Sequence, residues 1–272
     1  MVGRACGELL ANDAAVFYAG RKNADFLLDV ASPNARLPEG LRFDAVIHVA
    51  ADFGGKSDDD WFRAESVNAL GALNACRIAR QVAAGHLLLV STISARYEQQ
   101  HAYYGIYSLS KRHGDELAEL HCRESGLPLT ILRPTQVYDA DSKCRKHQPF
   151  FYAMIDKAEH GEDIDIFGSN DALRNLLFLD DLAEIVAGTL QNKVHGVFTC
   201  PAPSSVRLSE IAAVARQVFG RGGCTPFRHD KPDIADIPAV DGQQDLYAAI
   251  QYAPATSLAE GILKIKQARE MP

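Results

Sequence analysis

Asp44-Ala45-Val46-Ile47-His48-Val49-Ala50, a helical stretch over 64–83, and then His86-Leu87-Leu88-Leu89-Val90-Ser91 together decide the fold. Both short runs are almost continuously apolar, as expected of strands covered on both faces, and a helix-length segment separates them. Strand, helix, strand in that order predicts a βαβ unit in a parallel sheet.

Working outward, the same alternation continues. Residues 2–12 predict a helix, 14–18 a strand and 25–29 a further short strand. Downstream, 107–124 predicts a helix and 129–132 a strand that Arg133-Pro134 ends. Beyond Pro134 the regularity fades into a polar loop at 139–147, a helix at 150–160 and a short strand at 163–167. Residues 174–199 are expected to return to the main sheet, and 209–219 to form a further helix. Thr256 or Ser257 is the expected N-cap of a final helix. The fold class expected is α/β, a Rossmann-like doubly wound parallel sheet with a small C-terminal α/β substrate lobe. The division expected is 1–134 plus 174–200 as dinucleotide-binding domain and 135–173 plus 201–272 as substrate lobe.

The 272 residues can bury a substantial core, and 47% hydrophobic with 23% charged residues is ordinary for a globular chain. A net charge of -7 argues against nucleic acid as partner, since phosphate binding leans on excess lysine and arginine. No apolar run reaches the roughly 18 residues of a membrane span, no secretory leader is evident, and a cytoplasmic location is expected. The six cysteines are scattered without a C-x-x-C pair, which disfavours a metal site and a disulfide scaffold; reduced thiols are expected.

Tyr107-Ser108-Leu109-Ser110-Lys111 carries the chemistry. Positions i and i+4 share a helix face roughly 5–6 Å apart, so an ammonium at 111 is expected to lower the phenol at 107 from its usual value of about 10. A depressed phenol takes a proton near neutral pH. The spacing alone is common, and its plain alternative is a Tyr and a Lys on a solvated helix. Ser91-Thr92 at the end of the preceding strand supplies the context.

Several segments, in order, resemble the extended short-chain dehydrogenase/reductase family, in its NAD-dependent epimerase/dehydratase branch. They are Val2-Gly3-Arg4, Asp29-Val30, His48-Val49-Ala50-Ala51, Asn68, Ser91-Thr92, and Tyr107 to Lys111. Leu132-Arg133-Pro134-Thr135-Gln136-Val137-Tyr138 and Arg174-Asn175-Leu176-Leu177-Phe178-Leu179-Asp180-Asp181 complete the set. The resemblance implies that Tyr107 is the acid/base, that Lys111 tunes it and holds the nicotinamide ribose, and that Thr92 holds the reacting oxygen, with Ser94 next in line. It also implies cofactor contacts at Gly3, Arg21, Asp29, Val30, Ala50, Ala51, Asn68 and Pro134, besides Tyr107 and Lys111. Gln136 stands where the family has an asparagine near the substrate phosphate, and Arg174 matches an arginine that grips the nucleotide pyrophosphate. Arg228 is a further substrate candidate, with a surface ion pair as its alternative; His48 is expected to be structural.

Gly3 reads as the third glycine of a G-x-x-G-x-x-G turn, with the first strand and two glycines missing before it. Two readings follow: a start assigned at an internal methionine, which is preferred, or a degenerate paralogue. Tyr18-Ala19-Gly20-Arg21-Lys22 carries no carboxylate for a ribose 2′-hydroxyl, so NADP is favoured over NAD. Ile93-Ser94 replaces the family dehydratases' Asp-Glu pair and supplies no cysteine for epimerisation at C3 and C5. The resemblance therefore implies redox at one carbon, C4, of a nucleotide sugar by an epimerase or keto-reductase, and a homodimer through helices 64–83 and 107–124. The alternatives are a catalytically silent binding paralogue and a small-alcohol or steroid dehydrogenase.

Overall fold

The computed structural model describes residues 1–239 and 244–271. Helix α1 (Val2–Leu10) leads to two very short strands, β1 (Ala19–Gly20) and β2 (Phe26–Leu27), which pair in parallel. The strand expected at 14–18 is thus displaced. The Asp25 carboxylate accepts from the Tyr18 amide at 2.7 Å and takes up the donor a ladder would need there.

After β3 (Ala45–His48), one long helix runs as α2 (Asp58–Ala64), a π-turn (Glu65–Leu70) and α3 (Gly71–Gln81). It starts six residues before the expected position because Ser57 caps it. The Ser57 hydroxyl accepts from the Asp60 amide, and the Asp60 carboxylate accepts from the Ser57 amide, both at 3.2 Å. Asp58, Asp59 and Asp60 in the first turn suit the positive end of the helix. Strand β4 (His86–Val90) is followed by a short 3-10 turn (Ile93–Arg96) and α4 (Ile106–Ser125), which Gly126 closes at φ 69. Strand β5 (Leu129–Pro134) runs through the Arg133-Pro134 pair instead of stopping before it. Pro134 sits at the strand's last position, where Thr135 supplies the next donor, to Cys200 O at 3.3 Å.

The rest comprises β6 (Gln136–Tyr138), α5 (Pro149–His160), β7 (Ile166–Phe167), β8 (Leu173–Arg174), β9 (Leu176–Phe178), α6 (Leu179–Gln191) and β10 (Gly196–Cys200). It ends with β11 (Val206–Arg207), α7 (Leu208–Phe219), β12 (Phe227–Arg228), α8 (Gln244–Ile250) and α9 (Leu258–Glu270). Ser257 is the N-cap of α9, with Glu260 completing the capping box. Of the 174–199 stretch only β10 joins the main sheet. Strand β8 pairs with β11 and β9 with β6.

The main sheet is four parallel strands in the order β10-β5-β4-β3; among the described residues β1 and β2 form a separate pair. Its two faces follow the two-residue period of a strand. Leu87, Leu89 and Ile131 pack against Ala75, Ala79, Ala118 and Cys122 of α3 and α4. Leu88, Val90 and Leu132 pack the other way, against Cys6 of α1 and Leu182 and Val186 of α6. The chain is therefore an α/β, Rossmann-like fold. A third core, around Tyr138, Phe151, Tyr152, Ile166, Phe178, Ile211 and Ile262, lies among the elements after β5.

No helix among the described residues is long and apolar enough to cross a membrane.

Candidate active site

Open parallel sheets bind ligands beyond the carboxyl ends of their strands. Here that region is a cavity of about 720 Å3 bounded by Ala51, Val90 to Ser94, Tyr107, Lys111, Pro134 to Val137 and Arg174. It brings together Gly3, Ala51, Thr92, Ser94, Tyr107, Lys111, Pro134, Gln136 and Arg174.

Thr92 ends the segment after β4 in extended conformation, and its hydroxyl caps the 3-10 turn by accepting from the Ser94 amide at 3.2 Å. The same hydroxyl neighbours the Tyr107 phenol and acts to lower its pKa. Tyr107 does not have the depressed pKa its spacing from Lys111 suggested. Burial dominates and pushes the phenol up to about 12; the Thr92 hydroxyl opposes this and the Asp115 charge adds to it. The reason lies in where Lys111 points: its Nζ donates to the Val90 carbonyl at 3.1 Å. Burial pushes the Lys111 ammonium down to about 8, with Asp115 pulling the other way. One turn on, buried Asp115 is raised by desolvation and held back chiefly by Arg133, whose Nε donates to it at 2.8 Å.

Sequence reasoning missed this Asp115–Arg133 support, for which its only signal was a carboxylate four residues after Lys111. It also missed an aromatic stack. Phe53 lies between Tyr107, 4.6 Å away ring to ring, and His147, 3.7 Å away. A phenylalanine in a loop and a histidine in a polar stretch carry no pattern that would pair them.

Arg174 is 7% exposed and has no carboxylate partner among the described residues. Its guanidinium donates to the carbonyls of Leu173 at 2.7 Å and Ala235 at 2.8 Å, and to the Tyr103 hydroxyl at 3.1 Å. Gln136 donates through Nε2 to Gln148 at 2.8 Å, which leaves its buried Oε1 without a partner at the cavity wall.

Asn68, Asp29, Val30, Arg21, Ala50 and Arg228 lie off the cavity wall. Asn68, in the π-turn, is buried and fully engaged: it accepts from the Asp52 amide at 2.9 Å and donates to Asp52 O at 2.6 Å and Ser110 Oγ at 2.9 Å. It therefore shapes the loop after β3. Asp29 accepts from the Ala31 amide at 3.0 Å, Val30 O receives Asn74 at 2.8 Å, Arg21 is exposed in the turn after β1, and Ala50 follows β3. Arg228 forms a half-exposed ion pair with Asp165 at 2.6 Å, its surface alternative. Gly3 owes its lack of a side chain to Val49: a Cβ would stand 2.8 Å from Val49 Cγ2. His48 is buried with an unpartnered Nε2, and burial pushes it down to about 3.

Residues 7–199 match the model of the NAD dependent epimerase/dehydratase family. The dTDP-4-dehydro-6-deoxy-D-allose reductase of Streptomyces bikiniensis is 28% identical over 116 residues, 42% of this chain and 36% of that protein. The chain thus spans about a third of the length of that relative. A putative UDP-glucose 4-epimerase of Methanocaldococcus jannaschii is 23% identical over 84% of this chain and 79% of its own. The crystal structure of UDP-N-acetylglucosamine 4-epimerase from Bacillus cereus superposes with a TM-score of 0.77 at 18% identity, covering 100% of this chain and 94% of that one.

Proposed function

The chain belongs to the NAD dependent epimerase/dehydratase family, and from that premise we propose that it is an NAD(P)-dependent enzyme acting at C4 of a nucleotide-linked sugar, as an epimerase or keto-reductase. The observation that carries this reading is that Thr92, Tyr107 and Lys111 share one cavity with Arg174, a buried cation with no carboxylate partner among the described residues. A guanidinium kept in place by backbone carbonyls and a phenol retains its full charge for an anionic ligand. A sugar diphosphate supplies that charge, whereas a steroid or small alcohol does not.

The nicotinamide cofactor supplies hydride acceptance and return. The residues present fit its nicotinamide end. Lys111 spends one of its three N–H donors on Val90 O and keeps two for ribose hydroxyls, and Ala51 and Pro134 offer apolar walls. Tyr107 transfers the proton at the sugar oxygen. With its pKa near 12 the phenol is protonated at neutral pH, ready to give a proton to a developing alkoxide. For the reverse direction it must ionise, which the neighbouring Thr92 hydroxyl favours against burial and the Asp115 charge. Gln136, with its free carbonyl, is a donor-seeking contact for the substrate.

Exposed Arg21 and Lys22 support NADP over NAD, and titration with each dinucleotide decides between them. We also assign 1–134 plus 174–200 to dinucleotide binding and 135–173 plus 201–272 to the substrate lobe. A homodimer through α2, α3 and α4 is supported by exposed Trp61, Phe62, Leu70 and Leu120 on those helices and the π-turn.

The test is a thermal melt with UDP, GDP or dTDP, followed by a screen of nucleotide sugars for change in nicotinamide absorbance. Stabilisation by a nucleoside diphosphate but not by its nucleoside is expected. Stabilisation by small hydrophobic alcohols instead would overturn the reading.

A further inference from the structure

On the face of the sheet away from α1 and α6, α3 and α4 bring Cys76 against His121 and Cys122. One ligand atom from each lies within 4.8 Å of the other two. Cys76 is 0% and Cys122 2% exposed, and their sulfurs are 3.8 Å apart. Two sulfurs bound at about 2.3 Å to one tetrahedral ion are separated by roughly that distance, by simple trigonometry. His121 is half-buried, and its buried Nδ1 has no hydrogen-bond partner. An orphaned nitrogen on a ring that reaches two thiols is what a metal would satisfy.

We propose that Cys76, His121 and Cys122 form a zinc(II) site that staples α3 to α4, with water as fourth ligand. Two thiolates and a neutral imidazole carry two negative charges, so a divalent ion leaves the buried site neutral, which low-dielectric surroundings require. Entry is from the His121 side. The pattern is invisible in sequence because Cys76 stands on a different helix from the adjacent pair 121–122. The site lies about four turns along α4 from Tyr107, so it acts on stability and not on the reacting atoms.

Cobalt(II), which reports thiolate ligation by colour, tests this on the full chain stripped with a chelator. One equivalent per chain is expected to give thiolate-to-cobalt charge transfer and strong tetrahedral bands, both displaced by zinc. Cys76→Ser and Cys122→Ser remove the bands, while Cys224→Ser, at an exposed cysteine, leaves them. Because core serines risk misfolding, half-buried His121→Gln provides a second readout. It weakens binding by at least the roughly 10- to 100-fold that loss of an outer-shell partner costs. Zinc likewise raises the melting temperature of the wild type but not of His121→Gln. Absence of charge transfer, bands that persist in folded Cys76→Ser or Cys122→Ser, or bands lost with Cys224→Ser would each overturn the proposal.

Discussion

The Lys111 ammonium donates to the Val90 carbonyl at 3.1 Å, so a buried charge ties α4 to the end of β4. Burial lowers the group from 10.5 to about 8, so the folded chain releases this proton before the unfolded chain does. Between those two values the unfolded state holds more protons, and stability rises with pH. Lys111→Met removes that rise. Its stability relative to wild type is greatest at pH 7, by up to about 3 kcal/mol before the lost Val90 bond is counted, and declines as pH climbs through the window. Urea melts on either side of the window check this, and turnover is expected to be lost throughout.

Tyr107→Phe removes only the phenol oxygen, which lies near the Thr92 hydroxyl. Turnover is expected to fall by on the order of 100-fold or more while cofactor binding and melting temperature stay near wild type. Steady-state kinetics beside a cofactor titration measure both, and a fully active variant would take Tyr107 out of the mechanism.

Arg174 and Arg228 separate under the same assay. Arg174→Ala should abolish stabilisation by nucleoside diphosphates. Arg228→Ala breaks a half-exposed ion pair with Asp165 and should leave that stabilisation intact, changing the melt by well under about 1 kcal/mol.

His48 is held neutral by burial, lowered from 6.5 to about 3. As pH falls from 6.5 toward 3 the unfolded chain gains a proton that the folded chain refuses, so stability drops across that window. His48→Asn is expected to flatten this part of the acid limb. Denaturant midpoints at neutral pH and at about pH 4 test it, and an unchanged acid slope would contradict it.

Gly114 lies where α4 meets the π-turn, and a Cβ there would stand 2.3 Å from the Asn68 carbonyl oxygen. Gly114→Ala, a change that favours an isolated helix, is expected to cost roughly 1–3 kcal/mol because backbone must move. Thermal melts of the variant decide the sign.

What the sequence revealed was whatever depends on near neighbours. The apolar run of β4, the span of α4 and the Ser257 cap were legible because period and capping chemistry are local. The start of α2 was not, since three consecutive aspartates resemble a loop until Ser57 is seen to cap them. Side-chain direction was harder still. Spacing placed Lys111 beside Tyr107, but the Val90 carbonyl and the burial of both groups set their protonation. The carbonyl cradle of Arg174, the Phe53–His147 stack and the meeting of Cys76 with Cys122 join residues far apart in the chain, where no periodicity reaches.

The π-turn at Glu65–Leu70 constrains how this gene can vary in length. It holds a surplus residue, which lets one helix point Asn68 at the Asp52 loop while α3 keeps Ala75 and Ala79 on the sheet. Deleting a single residue there would let an unbroken α-helix form with α2 and α3 in nearly their present relation, because the bulge already absorbs the extra residue. The contact of Ala75 and Ala79 with the sheet would survive, while Asn68 would lose its place facing the Asp52 loop. Loss of a residue here is thus tolerated by the core and not by the loop, whereas loss of one within α3 would turn its apolar face off the sheet by about 100°.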